Sequence, residues 1–96
     1  MMIVVAYDVN TEDAKGRKRL RNVAKACVGF GQRVQNSVFE CFLDTAQLIQ
    51  LKAKLSNIID KEHDSVRIYN LGSNYRGKTE HMGIKESFAP DDTLLL

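Results

Sequence analysis

At 96 residues, with 44% hydrophobic side chains and a single proline, the chain is one small folded domain that leaves no room for a separate catalytic module and shows no low-complexity or disordered character. No apolar run approaches the roughly 18 to 20 residues that cross a bilayer, and the start MMIVVAYDV lacks a basic leader, so a cytoplasmic protein without a membrane segment is expected. The formal net charge of +2, from 14 basic and 12 acidic residues, predicts no strong overall field.

Residues 2–9 are an apolar run closing on Tyr7-Asp8-Val9, the pattern of a central strand buried on both faces. From about Glu12 to Val28, the apolar residues Leu20, Val23, Ala24, Cys27 and Val28 recur at helical spacing, while Lys18, Arg21 and Lys25 line another face. Gly29 and Gly31 follow, where a left-handed stop suits glycine. Gln32 to Leu43 reads as a short strand, a tight turn around Gln35-Asn36-Ser37, and a longer strand from Ser37. Asp44-Thr45-Ala46-Gln47 has capping-box form and opens a second helix, striped by Leu48, Leu51, Leu55, Ile58 and Ile59 and ending near Asp60. Ser65 to Leu71 alternates as a fourth strand before a glycine-bearing turn.

The order βαββαβ, with one apolar stripe per helix, predicts an α+β ferredoxin-like sandwich: an antiparallel sheet carrying both helices on one face. Residues 1–72 form the core and 73–96 a C-terminal extension of the same domain. The second sheet face must be solvated or covered, and the extension carries Met82, Ile84, Phe88 and Leu94 to Leu96 without a core of its own. Two arrangements satisfy this: an extra strand paired with a partner subunit, or a fifth strand folded back within the same subunit.

Asp8 is the sharpest single residue, because a carboxylate ending a hydrophobic strand must be solvated, paired or bound to a metal. One reading makes it only the start of the turn, accepting hydrogen bonds from amides between Val9 and Glu12. The other makes it a Mg²⁺ ligand: one or two carboxylates with water and phosphate oxygens complete that ion's octahedron, and a dimer bringing two Asp8 side chains together suffices.

Between Ala14 and Phe39 lie Lys15, Arg17, Lys18, Arg19, Arg21, Lys25 and Arg33, half of the 14 basic residues, with no acid among them. A helix surface that compensates itself places Glu four residues before Lys or Arg; this one does not, so a phosphate backbone is its natural counterpart. Few aromatics are interleaved, which points to sequence-independent contact. Gly72 to Thr79 matches G-x-x-x-x-G-K-[ST], but neither a following helix nor an acidic strand partner is visible, so a basic loop or a linker is the better reading. His63 and His81 read as surface residues, and Cys27 and Cys41 as small buried hydrophobes.

Four separated segments carry a resemblance: the strand ending in Tyr7-Asp8-Val9, GRKRLRNVAKAC (Gly16 to Cys27), GQRVQNSVFEC (Gly31 to Cys41) and SVRIYNLG (Ser65 to Gly72), with EHMG at Glu80 to Gly83. Together they resemble the small CRISPR-associated protein family of spacer acquisition, over nearly the whole chain. The resemblance implies a ferredoxin-like homodimer working with the larger CRISPR-associated integrase, and a Mg²⁺-dependent (or Mn²⁺-dependent) endonuclease acting on RNA or double-stranded DNA. It implies that Asp8 is the catalytic, metal-binding aspartate near its symmetry mate. It also places Arg17, Arg19, Arg21, Arg33 and Phe39 along the nucleic-acid path, and has the C-terminal segment add a strand to the partner's sheet. The alternative is a non-catalytic DNA-binding architectural subunit of the integration complex, motivated by the basic helix and the apolar tail.

Overall fold

A computed structural model of the chain describes residues 1–84, which build six elements in the expected order: β1 (Met2–Asp8), α1 (Ala14–Val28), β2 (Gln32–Gln35), β3 (Val38–Phe42), α2 (Thr45–Ile58) and β4 (Ser65–Gly72). The strands form one antiparallel sheet in the order β2-β3-β1-β4, so the first strand is central and lies between β3 and the last strand. With both helices on one face, this is the ferredoxin-like βαββαβ sandwich.

The buried core lies between that face and the helices. Ile3, Val5 and Tyr7 point into it from β1, Phe39 and Cys41 from β3, Val23 and Cys27 from α1, and Leu51 and Leu55 from α2. Each fully buried aliphatic or aromatic side chain contributes about 1.5–3 kcal/mol. The expectation that β1 is buried on both faces is corrected: Met2, Val4 and Ala6, on its other face, are only half-buried. An antiparallel sheet covered by helices on one side leaves its second side open, whatever the central strand's composition.

Local chemistry sets the element ends. The side chain of Asp13 caps α1 by accepting from the Gly16 amide at 2.7 Å, so the helix begins at Ala14. Asp44 and Gln47 form the expected capping box, with reciprocal bonds of 2.8 and 3.0 Å. The left-handed stop expected after α1 is absent: Gly29 is right-handed at φ −67°, and its amide bonds back to the last turn. Gly31 serves space rather than turn geometry, since a Cβ there would collide with Cys41 Sγ and the Glu40 carbonyl. Val28, the last residue of the expected apolar stripe, is exposed.

β4 carries a bulge where Leu71 is inserted opposite β1: Ile3 pairs with Asn70 and Met2 with Gly72. Gly72, the last residue of β4, and Gly77 in the loop beyond take positive φ of 77° and 82°, and the chain turns back so that Lys78 Nζ donates to the Leu71 carbonyl at 2.9 Å. Among the described residues no helix follows, so the phosphate-loop spacing is coincidental. Residues 73–84 hold no strand, and the part of the expected extra strand at Phe88 and Leu94 to Leu96 lies outside the described residues. No helix among the described residues is long and apolar enough to cross a membrane.

Candidate functional site

The end of β1, the start of α1, the β2–β3 turn and the start of β4 converge at one end of the sheet. Asp8 pairs in register with Ser65, and the Tyr7 amide donates to the Ser37 carbonyl at 3.1 Å. Because Ile3, Val5 and Tyr7 face the core, Met2, Val4, Ala6 and Asp8 face the open side, where the Asp8 carboxylate is exposed. The open face is otherwise apolar in patches: Phe42 and Tyr69 are 62% and 44% exposed, and Tyr75 packs on Phe42 at 5.7 Å between ring centroids. Arg67, opposite Ala6, lies on the same face near Asp8 with its guanidinium over the Tyr69 ring.

Of the turn amides that one reading assigned to Asp8, those of Asn10 and Glu12 find other acceptors. The Asn10 amide donates to Asp64 Oδ1 at 3.0 Å and the Glu12 amide to Asn10 Oδ1 at 2.9 Å. Asp64 is the centre of this corner, with a side chain 0% exposed. It also accepts from the Asp60 amide at 2.8 Å, from Arg19 Nε at 2.7 Å and from Arg19 Nη2 at 3.3 Å. The Arg19 hydrogen bond holds the Asp64 carboxyl below its usual range, and the backbone amides reinforce the shift against desolvation.

The basic residues divide accordingly. Arg17, Lys18, Arg21 and Lys25 are exposed on α1, and Arg17 lies near the Asp8 end, where its Nη1 reaches the Thr11 carbonyl at 3.4 Å. Arg19, Arg33 and Phe39 do not occupy the open surface expected of nucleic-acid contacts. Arg19 is held by Asp64, an acid that the local sequence around α1 does not contain. Phe39 is 0% exposed in the core, stacked on Tyr7 at 6.2 Å. Arg33 is 7% exposed, with its guanidinium 5.2 Å from the Phe39 ring centroid and hydrogen-bonded to the Tyr7 side chain. Burial raises the Tyr7 pKa, and Arg33 pulls it part of the way back.

Two places offer ligands to a divalent cation. Asp8 supplies an exposed hard-oxygen donor on the open sheet face, which suits an ion that keeps most of its waters. Asp60, Glu62 and His63 offer ligand atoms within 4.8 Å of one another; their only sequence signal is the short run Asp60-Lys61-Glu62-His63, in which His63 reads as a surface residue. Their geometry has an internal explanation: His63 Nδ1 lies 2.9 Å from Asp60 Oδ2, and Asp60 Oδ1 accepts the Glu62 amide at 3.0 Å. The hydrogen bond to Asp60 raises the His63 pKa, and the same bond lowers that of Asp60.

Fold and site define a small ferredoxin-like protein with an acid at the end of its central strand and a basic helix beside it. The family description "CRISPR associated protein Cas2" matches residues 1–79. The chain is 55% identical over 95 residues to the CRISPR-associated endonuclease Cas2 of Halalkalibacterium halodurans, covering 99% of each chain. It is 53% identical over 96 residues to the CRISPR-associated endoribonuclease Cas2 of Chlorobaculum tepidum, covering 100% of each. The crystal structure of Streptococcus pyogenes Cas2 superposes with a TM-score of 0.77 at 55% identity, over 86% of this chain and 100% of that one. The chain belongs to the CRISPR-associated Cas2 family.

Proposed function

We propose that the chain is a divalent-metal-dependent endonuclease of CRISPR spacer acquisition, hydrolysing phosphodiester bonds of RNA or double-stranded DNA as a homodimer in the cytoplasm, alongside the CRISPR-associated integrase. The observation that carries the reading is Asp8, exposed at the end of the central strand on the sheet face that no helix among the described residues covers. A second copy laid on that face would cover Phe42 and Tyr69 and bring a second Asp8 toward the first. Relatives matched over essentially their whole length carry the names endonuclease and endoribonuclease, which supports the same chemistry here.

Asp8 from each protomer would hold Mg²⁺ or Mn²⁺. When bound, the ion polarises the scissile phosphate and lowers the pKa of its water. Arg17 and Arg21, exposed on α1, steer and hold the phosphate backbone without reading bases. Arg33 and Phe39 act from beneath, Phe39 filling the core under the Asp8 strand and Arg33 bracing Tyr7. The test is cleavage of RNA and of duplex DNA in Mg²⁺, with EDTA and Asp8→Ala as arms. Loss of cleavage in both arms is expected, and full cleavage by Asp8→Ala refutes the site.

A second reading, a DNA-binding architectural subunit without catalysis, is favoured by the exposed run Arg17, Lys18, Arg21 and Lys25 on α1. Under it, Asp8→Ala integrates spacers normally, whereas Arg17→Glu with Arg21→Glu does not.

A further inference from the structure

The carboxylate that organises the Asp8 corner is Asp64, not Asp8. A fully buried carboxylate with four donors is an expensive way to fasten a surface turn, because desolvation must be offset by an arginine and two backbone amides. A neutral side-chain acceptor would satisfy the two amides with no buried charge. What the charge adds is rigidity. Arg19 approaches through both Nε and Nη2, a fork that fixes the plane of the carboxylate and, through it, the position of the Asn10 amide.

The restraint falls on the strand end that presents Asp8. Asn10 is two residues after Asp8, and Ser65, its register partner, directly follows Asp64. The residue pair 64–65 therefore grips the chain on both sides of Val9, by a side chain at Asn10 and by strand pairing at Asp8. Gly16 adds a third limit: a Cβ there would collide with the Asn10 carbonyl, so the first turn of α1 lies directly against the turn that Asp64 holds.

Resting on the reading that Asp8 is the metal ligand, we infer that Asp64, braced by Arg19, is a positioning residue that fixes the β1 terminus so that the Asp8 carboxylate is presented in one orientation. Outer groups of this kind typically change metal affinity or activity by about 10- to 100-fold when removed. Arg19 then acts on catalysis through Asp64 and not through nucleic acid.

The test is a Mn²⁺ titration of the intact protein without nucleic acid, followed by electron paramagnetic resonance. Amide hydrogen exchange at Asn10 and Asp60 is measured on the same samples. The variants are Asp8→Ala, Asp64→Ala and Asp64→Asn, at a temperature where circular dichroism shows each folded. Asp64→Asn keeps the shape and an acceptor oxygen, and it decides the matter if Asp64→Ala does not fold. The expected result is loss of the site in Asp8→Ala and about 10- to 100-fold weaker Mn²⁺ binding in folded Asp64 variants, with faster exchange at Asn10. Wild-type Mn²⁺ affinity in folded Asp64→Asn, while Asp8→Ala abolishes binding, overturns the positioning role alone. Unchanged binding in Asp8→Ala overturns the Asp8 reading and, with it, this inference.

Discussion

Replacing Phe39 by alanine is expected to act on stability before it acts on nucleic acid. The ring is fully buried, and truncating such a phenylalanine costs about 3–5 kcal/mol through forfeited transfer energy and the cavity left behind. Arg33, 5.2 Å from the ring centroid in a nearly dry setting, loses a further contribution of about 1 kcal/mol. The sum of about 4–6 kcal/mol compares with a total stability of about 5–14 kcal/mol for a domain of this length, so Phe39→Ala is marginal or unfolded. With a urea slope of about 1.5 kcal/mol per molar, the midpoint falls by about 3–4 M. Phe39→Leu refills most of the space; at a cost of about 1.5 kcal/mol its midpoint falls by about 1 M. The assay is urea unfolding by circular dichroism at one fixed protein concentration, paired with fluorescence anisotropy on a labelled duplex. Folded Phe39→Leu should bind the duplex as the wild type does. A wild-type urea midpoint for Phe39→Ala together with abolished duplex binding would refute the argument, because the ring would then be a surface contact.

Acid should destabilise the protein through Asp64: its lowered pKa means that the Arg19 pairing contributes fully above about pH 4 and is lost as pH falls through the depressed folded value. Thermal melts across that range should show a steeper loss of stability in the wild type than in Asp64→Asn, which keeps only the contribution of other carboxylates such as Asp60. His63 works in the opposite direction; its raised pKa gives a contribution present below its ordinary value of 6.5 and lost as pH rises through the raised one, detectable by NMR titration of the ring. Arg21→Glu should weaken duplex binding and reduce the slope of log affinity against log salt by about 0.9 for each phosphate that is no longer neutralised, with an unchanged slope removing α1 from the interface. Burial pushes the Cys27 thiol up to about 12 and the Cys41 thiol up to about 11, so an aromatic disulfide reagent should label neither until the protein opens; fast labelling of the native protein would contradict their burial.

The fold is readable from sequence because its signals are local and periodic. The Asp44–Gln47 box, the Val23 and Cys27 stripe, and the alternation of Val66 and Ile68 against Arg67 and Tyr69 each follow from neighbouring residues. Asp8 is readable for the same reason, as a charge ending an apolar run. What local pattern does not supply is long-range pairing. Arg19 reads as one of a row of uncompensated cations because its partner lies 45 positions away, and Asp64 reads as an ordinary loop acid. Phe39 and Arg33 are buried where the family resemblance implied a nucleic-acid path, although Phe39 alternates with buried Cys41 on the inward face of β3; that periodicity is a usable signal for the ring's burial. The β1 run misleads in the other direction, since hydrophobic composition does not report how many layers cover a sheet.

The place of β1 in the sheet also sets when the molecule can form. It is synthesised before both of its neighbours, β3 and β4, and β4 begins only at Ser65. At about 5–20 residues per second, the ribosome leaves this apolar strand without its second neighbour for several seconds. The bonds that close the Asp64 corner span 45 and 54 positions, so their loop-closure entropy is met only near the end of folding. Nascent chains stalled before β4 should therefore lack native structure at the Asp8 corner and present a sticky strand to chaperones, and the corner that is last to assemble is the one on which the proposed chemistry depends.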